Sequence, residues 1–273
     1  PLYSSAASDV YKRQVLQEAS ARIVIASDLN FGQALEKKFG SRIGFWIKWI
    51  VAGPVLLGCA AYEAGNILGA VSGSSILFEG DGKIYTIIIT LLAGYILWQG
   101  GSKWISTIMT VLVGLMGVAF LLLAVKSSFT LPELVRSSIV PTIPQGSEWI
   151  TLGLVGTTIV PYNIFIGSAI SKGHTIPLMR IGLTISVLIG GLITAWIMLA
   201  GTMVGNFSSF GELATLFQNK VGVVGSLALG LGLFAAGFSS SITSPYAASL
   251  IVSTFFGSEK KSVVRLAWMS VLL

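Results

Sequence analysis

The sequence predicts an all-α polytopic membrane protein, and three observations carry that reading. Hydrophobic residues make up 53% of the 273 residues and charged ones 10%, with a mean hydropathy of +0.84; soluble domains average about 25% charged residues. Several stretches reach or approach the ~20 apolar residues that cross a bilayer. Basic and acidic residues, finally, alternate between successive loops. Lys37, Lys38, Arg42 and Lys48 precede or open the first full span, Lys103 lies between the second and third, Lys172 and Arg180 follow the fourth, and Lys260, Lys261 and Arg265 follow the sixth. Glu79 and Asp81, then Glu133 and Glu148, then Glu212 mark the intervening loops. The positive-inside rule therefore puts the residues before 44 in the cytoplasm. It also explains the net charge of +6 by topology, without nucleic acid as a partner.

The spans are read at 44–70, 83–99, 104–125, 149–171, 178–203 and 222–255, with a last one beginning near 264. Val15 to Val24 reads as the cytoplasmic end of a preceding helix. Ser27 and Asp28 then look like the N-cap of a short surface helix running toward Lys38. The loop over 126–148 holds Pro132, Pro141 and Pro144 and is expected to carry a short helix at Leu131 to Ser138. Gly65, Gly69 and Gly73 recur every four residues and suit close helix packing. Gly225, Gly230, Gly232 and Gly237 are expected to loosen the sixth span, which Pro245 is expected to interrupt.

Residues 4–14, SSAASDVYKRQ, are the in-frame translation of a transposase-type sequencing adaptor. Residues 1–14 are thus expected to be an assembly artefact. Residues 15–273 are expected to form a single transmembrane domain, a piece of a longer protein cut at both ends.

The chemistry concentrates in GTTIVPYNIFIGSAI, Gly156 to Ile170, where polar residues and Pro161 interrupt an apolar span. Proline has no N–H and clashes with the carbonyl one turn earlier. Non-helical backbone at membrane depth persists only when buried in protein or lining a polar cavity. The carbonyls near Thr157 and Thr158, their hydroxyls and Asn163 would offer hard oxygen ligands of the kind that suit Mg²⁺, Ca²⁺, Mn²⁺ or Na⁺. A plain proline kink repaired by threonine hydroxyls is the competing reading. Glu63 is the acidic residue set well inside a span, with Asn66 one turn later. It reads either as part of an ion or proton path or as a structural hydrogen-bonded carboxyl. One cysteine (Cys59), one histidine (His174) and no dense acidic cluster argue against a resident zinc or di-iron site. No nucleophile–base pair or cofactor motif appears, so no catalytic residues and no enzyme activity are expected.

GTTIVPYNIFIGSAI is similar to the sixth-helix signature of the Nramp family of divalent-metal transporters, G-A-x-x-M-P-H-N-x-x-x-H-S. LQEASARIVIASDLNFGQAL, residues 16–35, resembles the family's LQ-x-L-A-x-R-L-G-x-x-T-G-x-D-L segment. GFSSSITSPYAAS, residues 237–249, resembles its eighth-helix pattern G-Q-S-S-T-I-T-G-T-Y-A-G. The resemblance implies a LeuT-type inverted-repeat fold, present from the end of the family's second helix to the start of its ninth. It also implies a metal site in which Thr157 offers a carbonyl and Val160 stands at the position of the family's methionine. Pro161, Tyr162 and Asn163 would organise that site, with Tyr162 and Gly167 at the positions of two family histidines. Ala60 and Glu63 match the family's paired acids, so one carboxylate remains. The family's Asp and Asn ligands lie upstream of this chain.

The resemblance therefore implies a transporter of divalent cations of the Mn/Fe/Mg class, working by alternating access and not strictly proton-coupled. Losing sulfur at Val160 removes a preference for softer metals and brings the site nearer the Nramp-related magnesium transporters. The metal is substrate, not cofactor, and a monomer in a bacterial inner membrane is expected. Two alternatives remain open: a sodium-coupled carrier of organic solutes with the same fold, and a non-transporting Nramp-like sensor or scaffold.

Overall fold

A helix satisfies its own backbone hydrogen bonds, which lets it cross lipid. The computed structural model describes residues 2–100, 102–127, 146–158, 160–171, 173–256 and 261–273, and the regular elements among them are all helices. In chain order these are α1 (Leu2–Ser27), α2 (Phe31–Phe39), α3 (Ser41–Leu77), α4 (Gly82–Gln99), α5 (Ser102–Ala124), α6 (Glu148–Thr158), α7 (Tyr162–Ser171), α8 (Ile176–Gly201), α9 (Phe210–Val221), α10 (Val223–Phe256) and α11 (Lys261–Leu272). Five are long and apolar enough to span a membrane: α3, α4, α5, α8 and α10. Their outward faces carry large apolar side chains, with Leu57 74%, Ile50 70% and Leu91 68% exposed. A surface of that kind is covered by lipid, not water.

The expected spans fall on these helices, and the span over 149–171 is divided between α6 and α7 by the break at Pro161. The helix expected at Leu131 to Ser138 lies outside the described residues. α2 starts later than expected. Ser27 closes α1, its hydroxyl donating to the Ile23 carbonyl at 2.6 Å, and Asp28 sits in the left-handed region at φ 54°. The cap is Asn30, whose side chain accepts from Gln33 N at 2.8 Å, while the Gln33 side chain accepts from Asn30 N at 3.0 Å. This reciprocal pair satisfies two helix-end donors, which neither Ser27 nor Asp28 can do from outside the cap position.

The chain packs as two compact units. The first comprises Glu63–Pro141 and Leu192–Thr243. Its core joins Ala119, Phe120 and Leu123 of α5 to Ala200 of α8, to Leu213, Ala214 and Phe217 of α9, and to Ala228 and Leu229 of α10. Within it α3 and α10 approach through glycine. A Cβ on Gly73 would meet the backbone N of Phe234 and lie 2.6 Å from the Gly230 carbonyl, and one on Gly237 would lie 2.6 Å from the Asn66 carbonyl. In lipid, where apolar side chains gain little by leaving the solvent, such backbone proximity is a main source of helix–helix attraction. The glycines of α10 therefore do not loosen the helix. Gly230 abuts Ile76 and Leu77, Gly232 abuts the Phe120 ring, and Gly225 faces the Phe217 carbonyl.

The second unit comprises Leu2–Tyr62, Thr142–Gly191 and Ser244–Leu273. Ala52, Val55 and Cys59 of α3 pack there with Phe165 of α7, with Ala247, Ala248, Ile251 and Phe255 of α10, and with Val271 of α11. Phe31, Phe165 and Phe255 meet edge-on or tilted, with centroids 5.2–6.3 Å apart. α10 runs unbroken through the buried Pro245, contrary to expectation. Beside it, Ser241 donates to the Phe238 carbonyl at 2.9 Å and Ser244 to the Cys59 carbonyl of α3 at 2.8 Å. α1 is tied to α8 by Glu18, whose carboxylate accepts from Arg180 at 2.6 Å and also pairs with Arg22.

Because the atoms opposing Gly73 are backbone, a methyl there forces the helices apart. Gly73→Ala is expected to destabilise the protein by about 1–3 kcal/mol, the usual cost of overpacking. Gly65 has nothing within 4 Å, so Gly65→Ala should melt with the wild type in detergent. Equal melting of the two variants would refute the close-contact account.

Candidate functional site

The break lies in the second unit and is built from both sides. α6 stops at Thr158, Val160 and Pro161 are non-helical, and α7 starts at Tyr162. Asn163 N donates to the Val160 carbonyl and Ile164 N to the Pro161 carbonyl, each at 3.1 Å, so α7 begins with a tight turn. In an unbroken helix the carbonyl of Thr157 would accept from residue 161. Proline has no N–H to give, so that helical bond cannot form. The carbonyl of Gly156 would accept from Val160; here the Tyr62 hydroxyl of α3 donates to it at 3.2 Å.

α1 secures the other side. The buried Gln17 donates its side-chain amide to the Asn163 carbonyl at 3.3 Å, and Ser20 donates to the Ile164 carbonyl at 3.1 Å. Phe165 anchors the same helix in the core against Phe31 and Phe255. The Tyr62 and Tyr162 rings meet edge-on with centroids 6.4 Å apart.

The residues predicted from sequence are placed as follows. Val160 is 8% exposed, Pro161 is exposed, and Tyr162 and Asn163 are half-buried at the start of α7. Of Thr157 the backbone alone is described, in the last turn of α6. Gly167 lies against Gln17, where a Cβ would stand 3.8 Å from the Gln17 side chain. Glu63 and Asn66 belong to the first unit and pair with each other: Asn66 Nδ2 donates to Glu63 Oε2 at 3.3 Å. Glu63 is 1% exposed, and its Oε1 has no hydrogen-bond partner among the described residues. No group of three His, Cys, Asp or Glu side chains converges among the described residues.

Sequence reasoning missed Gln17, Ser20 and Tyr62. Their signal is thin: each is one polar group in an apolar helix, meaningful only once the partner helix is known. Gln17 and Ser20 do stand three residues apart, the spacing of one helical face.

Residues 13–273 match the Nramp family model, described as natural resistance-associated macrophage protein-like. The chain belongs to the Nramp family. It is 23% identical over 258 residues to a divalent metal cation transporter MntH of Yersinia pestis, covering 88% of this chain and 62% of that protein. It is 24% identical over 258 residues to an MntH of Pectobacterium carotovorum, covering 88% and 61%. Against a manganese transporter of Eremococcus coleocola, solved with an aromatic bis-isothiourea substituted compound, the TM-score is 0.71 at 19% identity, over 99% of this chain and 62% of that one. This Nramp chain thus shares the fold of that transporter, the LeuT-type fold that the sequence motifs imply, and spans less than two thirds of the length of these relatives.

The orphaned oxygen of Glu63 makes a separate prediction. Glu63→Met fills a similar volume and removes a buried acceptor that nothing described satisfies, a change that is often neutral or stabilising. The variant is expected to melt at or above the wild-type temperature in detergent. A loss above about 1 kcal/mol would reveal a structural partner for the carboxyl.

Proposed function

We propose that the intact protein moves divalent metal cations of the Mn/Fe/Mg class into the cytoplasm by alternating access, without strict proton coupling. The observation that carries this reading is the break between α6 and α7, where Pro161 frees the Thr157 carbonyl and neighbouring helices hold the backbone on either side. Broken helices of this kind are where transporters present carbonyls to ions. Membership of the Nramp family and the MntH relatives support a divalent cation as the ion.

Thr157 supplies its carbonyl as ligand, Pro161 keeps that carbonyl free, and Tyr162 and Asn163 shape the start of α7. Val160 contributes no donor atom. With oxygen in place of sulfur the site takes hard cations, and Mg²⁺, which gives up its water reluctantly, becomes a plausible cargo beside Mn²⁺ and Fe²⁺. Glu63, with Asn66, lines the ion path. Tyr162 stands where the family motif has its first histidine, and without that imidazole the break has no group titrating near neutral pH. Loose or absent proton coupling follows. The bacterial MntH relatives support an inner membrane, the loop charges support an orientation with the residues before 44 in the cytoplasm, and the protein is taken to act as a monomer.

Cells producing the intact protein are expected to show saturable uptake of Mn²⁺, Mg²⁺ or Fe²⁺. Collapsing the proton gradient should change the initial rate by less than about twofold, since Tyr162 and Gly167 stand where the family motif has its two histidines. Absence of uptake for all three ions would overturn the reading, and strict dependence on the gradient would overturn its uncoupled part.

A further inference from the structure

Tyr62 adjoins Glu63 in sequence, yet its side chain works at the break. Its hydroxyl donates to the Gly156 carbonyl at 3.2 Å, on the α6 side, and its ring meets that of Tyr162, on the α7 side, at 6.4 Å and 80°. It is thus a side chain from a third helix that contacts both ends of the interruption. We propose that Tyr62 is a positioning residue for the cation, one that holds the Gly156 carbonyl so that the carbonyl of Thr157 is the one left to the ion. The proposal rests on the transport reading given above.

The geometry of the helix end supplies the reason. Successive carbonyls of an α-helix are turned by about 100°, so fixing the direction of one fixes that of the next. Gly156 and Thr157 both lie in the last turn of α6, where the helix no longer holds its own carbonyls. Freed acceptors side by side leave an ion a choice of ligands and leave the helix end free to fray. The Tyr62 hydroxyl narrows that choice by satisfying the Gly156 carbonyl, the neighbour of Thr157. The α7 side presents N–H groups, not carbonyls, to the break, and Gln17 and Ser20 tie that helix to α1 through the carbonyls of Asn163 and Ile164. A phenylalanine in place of Tyr62 keeps the ring against Tyr162 and takes away the donor alone.

Initial rates of Mn²⁺ uptake by the intact protein in proteoliposomes, wild type against Tyr62→Phe, test the proposal. Tyr62→Phe is expected to raise KM about fivefold, the scale of one lost hydrogen bond, with Vmax per protein molecule within about twofold. A purely structural tyrosine would lower the amount of folded protein and leave KM in place. Equilibrium Mn²⁺ binding to purified protein supplies a second readout if the variant reconstitutes poorly, and it should weaken by the same factor. An unchanged KM and unchanged binding in Tyr62→Phe, beside an active wild type, overturn this proposal and spare the transport reading. A wild type inert toward Mn²⁺, Mg²⁺ and Fe²⁺ overturns both.

Discussion

In a bilayer every backbone N–H and C=O must find a partner inside the protein, and that requirement governs this chain at each scale. It makes the described elements helices. It also makes the interruption at Val160 and Pro161 expensive unless neighbours take up what the helix releases. Tyr62 takes the Gly156 carbonyl at the end of α6, while Gln17 and Ser20 tie α7 to α1 through the carbonyls of Asn163 and Ile164. The carbonyl of Thr157 would pair with residue 161 in an unbroken helix, and Pro161 has no N–H to give it.

The same rule explains how the rest of the chain tolerates its irregularities. Pro245 sits inside α10 without breaking it, and next to it Ser244 ties α10 to α3 through the Cys59 carbonyl. Glycines let backbones of α3 and α10 come into contact, trading side-chain bulk for dispersion at close range. Glu63 stands apart from this economy of satisfied groups: one oxygen is held by Asn66, the other by nothing described. A buried acceptor left open is unusual enough in folded proteins to need an explanation.

Much of this was legible in the sequence because hydropathy and proline act locally. The spans, the split of 149–171 and the buried acid at Glu63 follow from runs of apolar residues and from single residues that violate them. Motif resemblance gave the family, because GTTIVPYN keeps the glycine, proline and asparagine of the Nramp signature while changing its methionine and histidine. What escaped depends on partners distant in sequence. The α2 cap was misplaced by two to three residues because Ser27, Asp28 and Asn30 are all competent caps, and the reciprocal bond with Gln33 decides among them. Pro245 and the α10 glycines were read as weak points because their compensating neighbours on α3 and α5 cannot be seen in one stretch of chain. Tyr62 could not be found at all without knowing that α3 packs beside Gly156.

The central claim is that the carbonyl freed by Pro161 is a cation ligand. Anomalous scattering from crystals of the intact protein soaked in Mn²⁺ addresses it most directly. The account predicts a manganese peak at the break, within about 2–2.5 Å of the Thr157 carbonyl oxygen, the range for a hard cation on oxygen. Manganese bound elsewhere in the protein, with the Thr157 carbonyl unliganded, would contradict it.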